Sequence, residues 1–149
     1  MAYVPSAYFK GNTRLQPPKG QVAGTSAIVF FTHVFDKTLV DTIDVLELFP
    51  VPAGARVAAI TYCSTNLPAG NLTLGWMSGV VGAADNARTS GSEFVNAVAH
   101  ATTDIIVALA LLQLQARQTE PRSIGWKTSV STGAVNTNKT FTIRAELQF

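Results

Sequence analysis

The chain has 149 residues, enough for one domain with a real core. Only 13% of them are charged against 47% hydrophobic, and the net charge is +2; soluble domains carry about 25% charged residues, so this exterior suits a protein packed against other protein. Composition excludes an intrachain disulfide, because Cys63 is the single cysteine, and a membrane-spanning helix, because the longest apolar run, residues 105–112, falls far short of the roughly 20 residues a span needs.

Residues 1–26 read as a segment of their own. Pro5, Pro17, Pro18, Gly11, Gly20 and Gly24 forbid a long helix and interrupt any strand, while Tyr3, Val4, Tyr8, Phe9 and Leu15 are too apolar for a solvated tail. The charges here are Lys10, Arg14 and Lys19, with no acid among them; the rest of the chain sets eight basic groups against nine acidic ones. An extended N-terminal arm is expected, with these eight apolar and basic residues as the candidate partner interface. Such an arm lies across a neighbouring subunit or an acidic partner, or folds back over its own core, and the sequence leaves both open. A basic stretch followed by an apolar one is lacking at the start, so no secretory signal is expected, and folding in a reducing cytosol is.

From residue 27 onward the pattern is mainly β. Residues 27–35 carry Ile28, Phe30, Thr32 and Val34 on one face and Val29, Phe31, His33 and Phe35 on the other, which predicts a strand covered on both sides. Strands are expected over 42–49 and 56–63, separated by the Pro50 to Gly54 turn, and over 71–77, where Leu72, Leu74 and Trp76 alternate with Asn71, Thr73 and Gly75. Residues 79–91 read as a loop. Ser92 is a candidate N-cap for a short helix over 92–100, with Phe94, Val95 and Val98 on one face. Residues 104–118 are read as a strand at the start followed by irregular or helical chain. A strand over 122–129, a hairpin connection over 131–138, and a last strand in which Phe141, Ile143, Ala145, Leu147 and Phe149 alternate with polar residues complete the chain. The fold class is therefore all-β: a jelly-roll-like β-sandwich over residues 27–149, with the arm over 1–26 and a short helical insertion.

The residues that carry chemistry are sparse. His33 and His100 are the two histidines and neither neighbours another ligand type, so no metal centre is expected, and His33 reads as a partly buried strand residue. Asp36, Asp41, Asp44 and Glu47 cluster in sequence, but Asp44 and Glu47 point to opposite faces of a strand and make no acid–base pair. Cys63 sits in an apolar run and reads as a small buried hydrophobe rather than a nucleophile. There is no Gly-x-Ser-x-Gly elbow, no phosphate loop at Gly79 to Gly82, and no clustered basic and aromatic stripe for nucleic acid. Neither catalysis nor a cofactor is expected.

The run Thr42 to Val57 (TIDVLELFPVPAGARV), then Leu72 to Trp76 (LTLGW), the Asp85 to Arg88 loop (DNAR), Arg122 to Trp126 (RSIGW) and the final strand resemble the small β-rich proteins that decorate, or cement, the capsids of tailed bacteriophages. The resemblance covers about two-thirds of the chain. It implies a jelly-roll-like fold and a homotrimer bound between capsomers of an icosahedral shell. It further implies that the major capsid protein is the partner, that the place is the virion surface after assembly in the bacterial cytoplasm, and that the role is stabilising. Two other readings stand beside it. One is a carbohydrate-binding jelly roll of a phage fibre or lectin, with Trp76, Trp126 and Tyr62 as stacking platforms. The other is a head-completion or tail structural protein.

Overall fold

The computed structural model describes residues 3–5, 26–40, 43–109, 116–134 and 138–149, the first of these by backbone alone. Among the described residues nine strands form two sheets: β1 (Tyr3–Pro5), β2 (Ser26–Val34), β3 (Val45–Val51), β4 (Arg56–Thr65), β5 (Asn71–Trp76), β6 (Val95–Ala99), β7 (Ile105–Ile106), β8 (Arg122–Thr128) and β9 (Thr140–Gln148). One sheet has the order β1-β3-β8-β5-β6 and the other β2-β9-β4-β7. The connections between β2 and β9 cross from sheet to sheet except the one joining β5 to β6. That is the order of a jelly roll, with β1 added in parallel to the edge of β3.

Alternation decides what each strand buries. In β9, Phe141, Ile143, Ala145 and Leu147 point inward and are fully buried, while the residues between them are half-exposed. They meet Trp126 and Ile124 of β8 from the opposite sheet, and the Phe35, Trp126, Phe141 and Tyr62 rings follow one another at centroid distances of 5.3, 5.9 and 5.8 Å. Offset ring pairs of this kind add about 0.5–1.5 kcal/mol each beyond the area they bury.

Three expectations need correction. Residues 92–100 contain no helix: Val95–Ala99 is β6, paired antiparallel to β5 through Asn71↔Ala99, Leu72↔Val98 and Leu74↔Val95. Sheet pairing overrides the weak helical spacing, and a bulge at Ala97, where φ is +53°, absorbs the misfit between the two periods. Among the described residues there is no helix elsewhere. Residues 131–138 are no hairpin either, because β8 and β9 lie in different sheets; the turn-rich segment crosses the sandwich instead. It is fastened to the chain after β2, with Leu39 N donating to Thr132 Oγ1 (2.9 Å) and Thr132 N to the Leu39 carbonyl (3.1 Å), and it is closed on itself by Lys139 Nζ donating to the Thr132 and Ala134 carbonyls (2.7 and 2.9 Å). Finally, β2 is covered on one face alone: Phe31 and His33 are buried, whereas Ile28, Phe30 and Val34 are 58, 69 and 43% exposed. Within the 104–118 stretch the expected strand start is β7, and residues 110–115 lie outside the described residues.

Candidate assembly surface

The outer faces of the two sheets differ, and the difference begins with glycine. Gly75 on β5 and Gly125 on β8 are directly paired. A Cβ on Gly75 would run into the Gly91 backbone, and one on Gly125 into Ser90 and Met77, so the two glycines form a notch that lets the chain around 90–91 cross close over the sheet. The β5–β6 connection thus covers the outside of the five-stranded sheet. It is locked there by Arg88, whose Nη1 and Nη2 both donate to Glu47 (2.8 Å each) and whose Nε and Nη2 reach the Ser78 carbonyl (2.8 Å) and Ser123 Oγ (3.0 Å). Glu47 also accepts from Gly82 N at 3.1 Å and from the Ser123 hydroxyl. Both charged side chains are essentially inaccessible to water. A bidentate pair with its remaining lone pairs satisfied repays burial; one partner left alone costs about 3–5 kcal/mol.

Among the described residues the four-stranded sheet has no such cover. Ile28, Phe30 and Val34 of β2 stand exposed beside Thr142, Arg144 and Glu146 of β9, and Ile106 of β7 is 81% exposed. Phe30 is directly opposite Arg144, and Ile28 opposite Glu146. Thr32 and Thr142 share a hydrogen bond (3.0 Å), and Arg56 donates twice to Gln148 (3.1 and 2.7 Å). A shallow depression of about 180 Å³ lies between Phe30, Cys63, Asp104 and Arg144. Not one residue of β2 is charged, so this edge strand lacks the lysines and prolines that usually discourage contact with other chains. A free-standing protein hides such rows.

The chemistry-bearing residues are spread apart. Asp44 Oδ2 accepts from Val40 N (2.8 Å) in the turn before β3, while Glu47 is buried under Arg88, so the two carboxylates diverge as expected; Asp41 lies outside the described residues. Among the described residues no three His, Cys, Asp or Glu side chains gather as metal ligands would. His33 is buried against the Phe35 ring at 4.8 Å. His100 shares a hydrogen bond with Thr128 Oγ1 (3.2 Å), and burial lowers its pKa, which favours the neutral ring. Cys63 is half-exposed on the outer face of β4, not in the core; partial burial and then the Asp104 carboxylate push its thiol up, which keeps it protonated and a poor nucleophile. Trp126 is fully buried, Tyr62 is 2% exposed, and Trp76 packs against Phe94 (4.9 Å) beneath the Arg122 guanidinium (5.3 Å). None of the three offers a ring face for stacking a sugar.

Of the arm residues, Tyr3 and Val4 belong to β1, where their backbones pair with Val45 and Leu46 of the same chain. Tyr8, Phe9, Lys10, Arg14, Leu15 and Lys19 lie outside the described residues. The exposed row on β2 is the feature that sequence reasoning missed. Its signal was the uncharged, doubly apolar pattern itself, which says that both faces want cover but not whose atoms supply it.

No protein-family model matches the chain, and no curated protein sequence matches it either. Solved structures do. A chain of the capsid of Ralstonia phage GP4 superposes with a TM-score of 0.84 at 23% identity, covering 99% of this chain and 97% of that one. A chain of the cyanophage Pam1 capsid asymmetric unit gives 0.60 at 14% identity, over 91% and 93% of the two chains. One from the acidic stable capsid structure of the Helicobacter pylori bacteriophage KHP30 gives 0.54 at 13% identity, over 86% and 90%. Over nearly its whole length, this jelly roll with an uncovered apolar sheet face has the fold of chains found in phage capsids.

Proposed function

We propose that the chain is a virion structural protein that decorates and stabilises an icosahedral phage capsid by binding between capsomers as a homotrimer. One observation carries the reading: the three solved structures compared above, alike over at least 86% of this chain, are all of phage capsids. The physical character of the molecule supports it. The interior is filled by aromatic and aliphatic side chains, Asp44, Glu47 and the two histidines serve structure, and an apolar face is left for other protein. In this account the protein has no catalytic task. The sequence motifs that resemble phage cement proteins supply the finer role and the trimer. The arm supplies the capsid contact: Tyr3, Val4, Tyr8, Phe9 and Leu15 anchor in grooves of the major capsid protein, and Lys10, Arg14 and Lys19 meet acidic surface.

Co-sedimentation with empty heads tests this reading. The intact chain should pellet with heads, and removal of residues 1–25 should abolish it. Because that truncation also removes β1, a second variant keeps the strand and reverses the arm's charge, Lys10→Glu with Arg14→Glu and Lys19→Glu; it should bind at least about tenfold more weakly. Undiminished binding by both variants would remove the arm from the account.

A further inference from the structure

We infer that the uncovered face of the four-stranded sheet is a two-fold contact between two copies of this chain, with Arg144 of one copy paired to Glu146 of the partner subunit. The inference deepens the proposed assembly role by naming what occupies that face. Arg144 and Glu146 are successive outward residues of β9, one pleat apart, and neither side chain has a hydrogen-bond or ion-pair partner among the described residues. Each is flanked by an exposed apolar residue of β2, Phe30 beside Arg144 and Ile28 beside Glu146.

This pattern is its own complement. A two-fold axis lying in the plane of the contact and crossing β9 at Ala145 reverses the strand direction. Arg144 then falls over Glu146 of the partner subunit, and Phe30 over the partner's Ile28, each contact occurring twice. Apolar packing supplies the area, and the two reciprocal ion pairs fix the register. Sheets that meet face to face keep their strands within about 30° of alignment, so the pleats can interdigitate along both rows. A foreign partner would need an opposite charge pattern of its own; a second copy brings it by symmetry. Charge is balanced across the face as well, since Arg56 and Asp104 add one group of each sign, so no like-charge field opposes the approach. Within a shell of trimers the contact ties one trimer to the next.

Sedimentation equilibrium on the full chain, read as a concentration-dependent doubling of whatever species is present at low concentration, tests the contact. Arg144→Glu sets two glutamates against each other at both ends of the contact, and Glu146→Arg two arginines; each should weaken the doubling at least about tenfold. The double variant Arg144→Glu with Glu146→Arg should restore it to within a few-fold of the native value, and Phe30→Asp should abolish it. Should Phe30→Asp fail to fold, the charge variants, at half-exposed positions, still decide. Absence of doubling in the native chain at about 100 μM, or a double variant as weak as the singles, overturns the inference. Head binding is scored separately: doubling without head binding removes the decoration reading and keeps this contact, and head binding without doubling does the reverse.

Discussion

Arg88 and Glu47 are 41 residues apart in sequence and meet through two hydrogen bonds beneath the β5–β6 connection. Nothing in the spacing of either residue announced the pair. Glu47 lies in the strand expected over 42–49, and Arg88 in a loop rich in small residues. What sequence does show is that a lone acid in an otherwise apolar run, Val45 to Val51, needs a partner if the strand is central, and β3 is buried at every position. Arg88→Met leaves the Glu47 carboxylate buried without its bidentate guanidinium partner, so it should destabilise the fold by about 3–5 kcal/mol in urea unfolding. Adding Glu47→Leu to Arg88→Met should recover a large part of that loss, because an apolar pair carries no desolvation penalty. Two equally unstable variants would mean that the loop is held by contacts other than the ion pair. The tryptophans teach the opposite lesson. Their alternation with Leu72, Leu74 and Ile124 placed them on inward faces, and they are there.

At the scale of elements, β5, β8 and β9 were legible because each has one dry face, and a period of two is unmistakable when the other face is polar. Where that contrast fails, so does the reading. β2 is apolar on both faces, and apolar content cannot distinguish burial by the same chain from burial by another. Phe94, just before β6, and Val95 and Val98 within it stand at helical spacing, yet β6 is held as an edge strand by hydrogen bonds to β5, a long-range cause invisible in a local window. The turn residues of 131–138 likewise serve a crossing as well as a hairpin. The paired glycines of β5 and β8 offer a direct check on the covered sheet. Gly75→Ala should push the chain around Gly91 off the sheet, lower stability by about 1–3 kcal/mol, and speed amide exchange in residues 78–91. An unchanged exchange pattern there would show that the connection does not need the notch.

For the whole molecule, the all-β sandwich was readable from turn chemistry and alternation. The jelly-roll strand order was not, because order depends on which strands meet across about a hundred residues of separation, as β2 and β9 do. The low charge of the chain pointed to life in an assembly, and the structure gives that statement a location. Among the described residues, one sheet is wrapped by its own chain and the other is left open, with apolar side chains and a pair of opposite charges on its outer face. The candidate interface named from sequence, the arm, and the one inferred from the fold, the open sheet, divide the work in the proposed account: the arm holds the capsid and the sheet holds the next copy. The most direct measurement of the central claim is electron microscopy of the virion with gold-labelled antibody against this chain. The account predicts label distributed over the whole icosahedral shell at regular positions; label confined to the tail or to a single vertex, or no label on the particle, would contradict it.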